Sequence, residues 1–193
     1  MLRLHVVVTS TRPGRVGPSV GQWFLERVKL HGKLEPELVD LKEVNLPAMD
    51  EPKHPRFKQY QHEHTKKWAA KVAEADAFVF VTPEYNYGGP PALLNAFDFL
   101  YSEWNYKAAG FVSYGGVSGG TRSVQMSKLT VTALKMMPLP EGVIIPWVSK
   151  LVDEHHVFRG GEEFEKAAVV MLDEPGVTVT VGVVSTGVVA ADS

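Results

Sequence analysis

The sequence predicts an α/β domain, a three-layer sandwich with one parallel sheet between two layers of helices. Two observations predict it. Apolar runs of strand length alternate with stretches of helical period, in the order βαβαβαβαβα. That alternation is the signature of parallel strands joined by helical crossovers. The runs are also nearly continuous in Val, Phe and Ala, as strands covered on both faces require.

Leu4–Val8 is the first such run and ends in Thr9 and Ser10. Gly17-Pro18 opens a helix, since proline is tolerated at the first helical position. Val20, Trp23, Phe24, Arg27 and Val28 then fall on one side of it. Glu37–Leu41 is a shorter second strand, and a proline-rich loop follows from Pro47 to Pro55. Phe57, Tyr60, His64, Trp68 and Val72 recur at helical spacing, which predicts a long helix over Arg56–Ala75. Ala77–Val81 is the third strand, Pro91–Trp104 a helix and Ala108–Ser113 the fourth strand. Thr121–Lys135 is helical, Gly142–Ile145 is the fifth strand and Glu162–Leu172 the last helix.

Bulk composition narrows the classes. A chain of 193 residues suits one domain with a substantial core, expected over residues 1–172. Apolar residues make up 45% and charged residues 22%, with a net charge of −2. That balance argues against nucleic-acid or membrane binding. There is no cysteine, which excludes disulfides, thiol nucleophiles and cysteine-ligated clusters. No signal peptide and no run of eighteen apolar residues is read, so a cytoplasmic location is expected.

Three loops leave strand ends with unusual chemistry, all on one edge of the sheet. In open sheets of this kind ligands bind beyond the carboxyl ends of the strands. The first loop, TSTRPGRVGPS, runs from Thr9 to Ser19. A helix N-terminus offers free N–H groups and the positive end of a dipole to an anion. Ser10 and Thr11 add hydroxyl donors, and Arg12 and Arg15 add charge able to grip phosphate oxygens. Gly14 and Gly17 let the backbone close around a ligand. The loop is neither a Walker A nor a G-x-G-x-x-G motif. It therefore predicts a phosphate cradle that is not built for triphosphate hydrolysis or a dinucleotide fingerprint.

The third-strand loop is PEYNYGGPP, from Pro83 to Pro91. Tyr85 and Tyr87 between glycines and prolines make a rigid aromatic edge for a planar ligand. Glu84 more naturally fixes loop geometry there than acts as a general base. The fourth-strand loop, SYGGVSGGTRS from Ser113 to Ser123, holds four glycines in eleven residues. Side chains are cleared away, so a ligand wall is expected.

These three segments, TSTRPGRVG, ADAFVFVTPEYNYGGPPALLNAFDFL and KAAGFVSYGGVSGGTRS, resemble the NADPH-dependent FMN reductase family. The PEYN segment with its following helix is the most diagnostic. The resemblance spans about residues 3 to 150. It implies a flavodoxin-like fold with strand order 2-1-3-4-5, and FMN as cofactor with NADPH or NADH as hydride donor. It implies a phosphate held by Ser10, Arg12, Arg15 and the amides of Val16, Gly17 and Ser19. The isoalloxazine ring would lie against Pro83, Glu84, Tyr85 and Asn86, with Ser113, Gly115, Gly116 and Ser118 along its other side. It implies hydride transfer to flavin N5 and then to an acceptor in the same slot, with no catalytic side chain. The acceptor would be free flavin passed to a partner monooxygenase, a quinone, an azo compound or a metal oxyanion. A homodimer or dimer of dimers through the helices flanking the site, Pro91–Trp104 among them, is also implied. A non-enzymatic flavodoxin-like electron carrier is the alternative, which a net charge of −2 disfavours because such carriers are strongly acidic.

Other constellations carry less. His62 and His64 on one helix would point about 200° apart and could not ligate a metal together, and no metal site is expected. Asp40, Asp76 and Asp98 are scattered rather than clustered at the end of the first strand, unlike a receiver domain. The tail 173–193 departs from the resemblance. Pro175-Gly176 breaks the last helix, and the remainder is almost uncharged and rich in Val, Thr and Gly, a composition that favours a strand.

Overall fold

Five parallel strands form one sheet in the order β2-β1-β3-β4-β5. The computed structural model describes residues 1–174, so the expected tail strand lies outside the described residues. The strands are β1 (Leu2–Val8), β2 (Leu34–Asp40), β3 (Ala77–Pro83), β4 (Ala108–Tyr114) and β5 (Met137–Ile145). The helices are α1 (Gly17–His31), α2 (Leu41–Val44), α3 (Glu63–Glu74), α4 (Pro91–Asp98), α5 (Thr121–Ala133) and α6 (Glu162–Leu172). This is the predicted three-layer, flavodoxin-like arrangement. No helix among the described residues is long and apolar enough to cross a membrane.

The core has two halves because every central strand is covered twice. On one face Leu4, Val6 and Val79 pack with Phe24 and Val28 of α1 and with Ala168 and Met171 of α6. On the other, Val7, Phe78, Phe80 and Phe111 pack with Trp68 of α3, Phe97 of α4 and Val131 of α5. Trp104 sits among four rings there, 5.0 Å from Phe78, 5.4 Å from Phe97, 5.8 Å from Trp68 and 6.3 Å from Phe80. All residues of β3 and β4 are buried, which is why their sequences show no alternation.

The structure corrects several boundaries. The long helix expected over Arg56–Ala75 begins only at Glu63. Pro55–Phe57 is a separate 3-10 turn, ended by Lys58 at φ 52. The Glu51 carboxylate then accepts from the amides of Gln61 and His62, holding that segment out of the helix. His62 therefore lies outside α3, and helical periodicity does not govern it: its ring stacks on His64 at 5.2 Å. Helix α4 stops at Asp98, yet Phe99, Leu100 and Trp104 remain buried. Turns deliver those residues to the core, with Trp104 N–H donating to the Tyr101 carbonyl. Helical spacing alone does not separate these cases. Strand β5 starts five residues earlier than expected, at Met137. Pro138 and Pro140 are tolerated because it is an edge strand. The unanticipated α2 is capped by Asp40, whose carboxylate accepts from Lys42 N–H at 2.9 Å.

Candidate functional site

The loop after β1 closes over the start of α1 and rests on the end of β4. Ser10 is buried, and its Oγ accepts from the Tyr114 hydroxyl at 3.1 Å. Burial pushes the Tyr114 hydroxyl well above its ordinary pKa, so it stays a neutral donor. Gly17, the first residue of α1, lies directly above this pair. A Cβ there would overlap Ser10 Oγ and stand 2.8 Å from the Tyr114 oxygen and 3.1 Å from Val8 Cγ1. Close approach of the backbone, rather than an unusual φ, demands glycine at this point. The first turn of α1 is left without an acidic residue or a side-chain cap. Its dipole and N–H groups are therefore unopposed, as an anion site requires.

The two arginines of this loop do different work. Arg15 donates both guanidinium arms to Asp40 at 2.6 Å and also bonds the Ser10 carbonyl. Its side chain is only 11% exposed, and this fork-to-carboxylate pair is the stronger kind. Asp40 ends β2, so Arg15 fastens the loop to the neighbouring strand and its charge is already neutralised. Arg12 is exposed and stands 5.8 Å from the centre of the Tyr85 ring. Among the described residues it forms no ion pair. Ser19 also departs from expectation: its amide donates to the Val16 carbonyl inside the helix, and its hydroxyl accepts from Phe158 N–H. Its amide and one acceptor site of its hydroxyl are engaged by the protein itself.

The loop after β3 is a tight hairpin. Tyr85 and Gly88 exchange both backbone hydrogen bonds at 2.9 Å, with Asn86 at φ 51 and Tyr87 at φ 68 between them. Two consecutive positive φ values are those of a type I′ turn. Asparagine is well suited to the first. Tyrosine is not suited to the second, and Arg122 compensates by stacking 3.7 Å from the Tyr87 ring centre.

Glu84 locks this hairpin to the loop after β4. Its carboxylate accepts from Ser118 Oγ at 2.8 Å and from Arg122 Nε at 2.6 Å, and it pairs with the Arg122 guanidinium. Burial alone would push the Glu84 carboxyl up, but the hydrogen bonds from Arg122 and Ser118 outweigh it and hold the carboxyl below the usual range. A depressed carboxylate contributes stability that is present above its unfolded pKa and lost as pH falls through its folded one. Glu84→Gln is therefore expected to lower Tm by roughly 2–4 °C at neutral pH. The difference from wild type should begin to shrink below about pH 4.5, where the unfolded chain's carboxyl takes up a proton that the native one does not. Parallel melting curves at pH 7 and pH 4 check both parts, and an equal gap at the two values would reject the clamp.

Gly120 makes the fourth-strand loop possible. It takes φ 86, and a Cβ there would fall 2.8 Å from Tyr114 N and 2.9 Å from Tyr114 O. Gly116 is open, with nothing within 4 Å of a built Cβ. A Cβ added at Gly115 would stand 3.3 Å from Gly120 N and 3.7 Å from Glu84 Cβ.

Of the predicted residues, Ser10, Arg12, Gly17 and Tyr85 share one edge. Glu84, Gly115 and Ser118 form its continuation, with Asn86 exposed at the hairpin tip and Gly116 exposed beyond. Pro83 is buried in β3, paired in register with Tyr114. Ser113 does not join the edge. Its side chain is buried on the α5 face, beside a pocket of about 80 Å³ and without a hydrogen-bond partner. Strand alternation explains this, because Tyr114 takes the opposite face. The sequence reading missed Tyr114 and Asp40 as supports of the site. A tyrosine ending a buried strand and an acid ending the adjacent one were visible, but their partners lie 104 and 25 positions away.

Comparison with known proteins agrees with this architecture. The profile of the NADPH-dependent FMN reductase family matches residues 2–147. An NAD(P)H-dependent FMN reductase of Schizosaccharomyces pombe is 43% identical over 140 residues, 72% of this chain and 70% of the relative. One from Nectria sp is 33% identical over 175 residues, 86% of this chain and 87% of the relative. Among solved structures, a flavoenzyme NAD(P)H:(acceptor) oxidoreductase from Paracoccus denitrificans superposes with a TM-score of 0.68. It covers 94% of this chain and 96% of its own at 21% identity, a likeness of fold.

Proposed function

This chain belongs to the NADPH-dependent FMN reductase family, and from that premise we propose that the three loops hold FMN beside a slot shared by NAD(P)H and a small electron acceptor. The activity class is FMN-dependent oxidation of NAD(P)H. The observation that carries the site assignment is the convergence of Ser10, Gly17 and the uncommitted Arg12 at the unopposed start of α1. That donor set fits a phosphate monoester: a buried hydroxyl, helix amides and one free guanidinium.

In this reading Ser10, Arg12 and the amides of Val16 and Gly17 take the phosphate. Arg15 and Ser19 hold the loop in shape. Tyr85 and Asn86 border the ring on one side, and Gly115, Gly116 and Ser118 on the other, with Glu84 setting the distance between the two walls. When bound, FMN supplies two-electron chemistry, accepting a hydride and passing the electrons on. The protein contributes position and access, and no side chain has to move a proton. Free flavin handed to a monooxygenase, or a quinone, is the acceptor class this open slot suits.

The reading extends to a cytoplasmic homodimer, or dimer of dimers, associating through α4 and α5. Tyr87, Leu94 and Met126 are 65%, 52% and 57% exposed. Leu94 and Met126 line an apolar cleft of about 290 Å³ together with Gly88, Pro91 and Phe97, which supports a contact beside the flavin.

The test is a visible spectrum of the FMN-reconstituted protein mixed anaerobically with NADPH. Flavin bands that bleach directly to the reduced form are expected. Bound flavin that NADPH leaves oxidised would favour the electron-carrier alternative, and absence of flavin binding would overturn the site.

A further inference from the structure

We propose that His5, Glu37 and Glu74 form a binding site for a divalent transition-metal ion of the zinc class, on the β2 side of the sheet and separate from the three loops. His5 lies within β1, in register with Glu37 on β2. Glu74 is the last residue of α3. One ligand atom from each lies within 4.8 Å of the other two.

The buried imidazole is what distinguishes this group from an ordinary acidic surface. His5 is 1% exposed, and its Nε2 has no hydrogen-bond partner. That nitrogen is 3.3 Å from Glu37 Oε2, close but not aligned as a hydrogen bond. A buried polar atom left without a partner is costly. This one lies beside the carboxylates of Glu37 and Glu74, both at least partly exposed.

The distances suit a metal better than a proton. Zinc bonds to nitrogen and oxygen are about 2.0–2.2 Å, so ligand atoms around a tetrahedral ion stand roughly 3.3–3.6 Å apart. The His5–Glu37 edge already has that length. Glu74, whose ligand atom lies within 4.8 Å of the other two, has to move in to meet the ion, and its side chain is partly exposed. One imidazole and two carboxylates is a ligand set that borderline ions accept. Water completes the fourth position.

The site already holds a cation of another kind. Lys71 Nζ donates to Glu37 Oε1 at 2.8 Å and to Glu74 Oε2 at 2.7 Å. Its side chain is one-third exposed. The metal must displace it toward solvent, so lysine acts as a competitor that weakens the site without closing it. An occupied site would tie β1, β2 and α3 together.

The experiment is calorimetric titration of the FMN-loaded protein with Zn²⁺, repeated with Co²⁺ to read ligand geometry from its visible absorption. One ion per chain is expected at this site. Glu74→Gln, a change at a partly exposed residue, should weaken it at least tenfold and remove the Co²⁺ bands. Lys71→Ala should tighten it about tenfold by removing the competing ammonium. NAD(P)H oxidation should be unchanged in both variants. Zinc affinity that is insensitive to Glu74→Gln would overturn the site, as would Lys71→Ala binding no more tightly than wild type. Binding that disappears when the exposed His155 and His156 are replaced would overturn it too.

Discussion

Gly17→Ala is expected to damage both the stability and the ligand site of this protein by adding a single methyl group. Alanine is the better helix former, so at an unconstrained first helical position the substitution would be neutral or favourable. Here the added Cβ meets the buried Ser10–Tyr114 pair and Val8. Forcing a methyl into a packed site costs about 1–3 kcal/mol, and unpairing the buried hydroxyls costs about 1 kcal/mol more. A loss of roughly 2–4 kcal/mol corresponds to a fall in Tm of about 5–15 °C. FMN affinity should fall more than tenfold as well, because Ser10 and the Gly17 amide are both displaced from the phosphate. Thermal melts and flavin titration check the two effects. A stable variant with native affinity would show that the loop can open without consequence.

Arg12 and Arg15 should respond oppositely to the same substitution. Arg12→Ala removes a guanidinium with no carboxylate partner among the described residues. Stability is expected to stay within about 0.5 kcal/mol of wild type. FMN binding should weaken by about 1.5–3 kcal/mol, the worth of a charge-assisted contact, or roughly ten- to a hundredfold. Arg15→Ala breaks a largely buried pair and strands Asp40. It should lower stability by about 1.5–3 kcal/mol, between the values for exposed and buried pairs, and affect FMN mainly through the loop's order. Chemical denaturation of both apoproteins, followed by flavin titration, separates the roles. Two variants with the same profile would mean that the arginines share one function.

Most of the architecture was legible because it depends on local pattern. Continuous apolar runs, helical stripes and the proline and glycine punctuation between them reflect burial on two faces, which each segment records in its own residues. The type of loop chemistry was legible for the same reason: hydroxyls, arginines and glycines announce an anion site wherever they cluster. The PEYN segment carried the family resemblance.

What each polar side chain does was not legible, because that depends on which distant residue arrives beside it. Arg12 and Arg15 are alike in sequence, and only the position of Asp40 at the end of β2 makes one structural and leaves the other free. Ser113 and Tyr114 are neighbours, yet strand alternation sends one under α5 and the other beneath Ser10. Helical periodicity set His62 and His64 about 200° apart, yet the Glu51 carboxylate holds His62 outside the helix and the two rings stack. His5, Glu37 and Glu74 are far apart in the chain and meet only through strand register and the placement of α3. Sequence by itself determined the layers, the strand-end location of the chemistry and the residue types available to it. Tertiary structure alone decided which of those charges are neutralised and which remain to meet a ligand, since pairing energies act over a few ångströms in space and not along the chain.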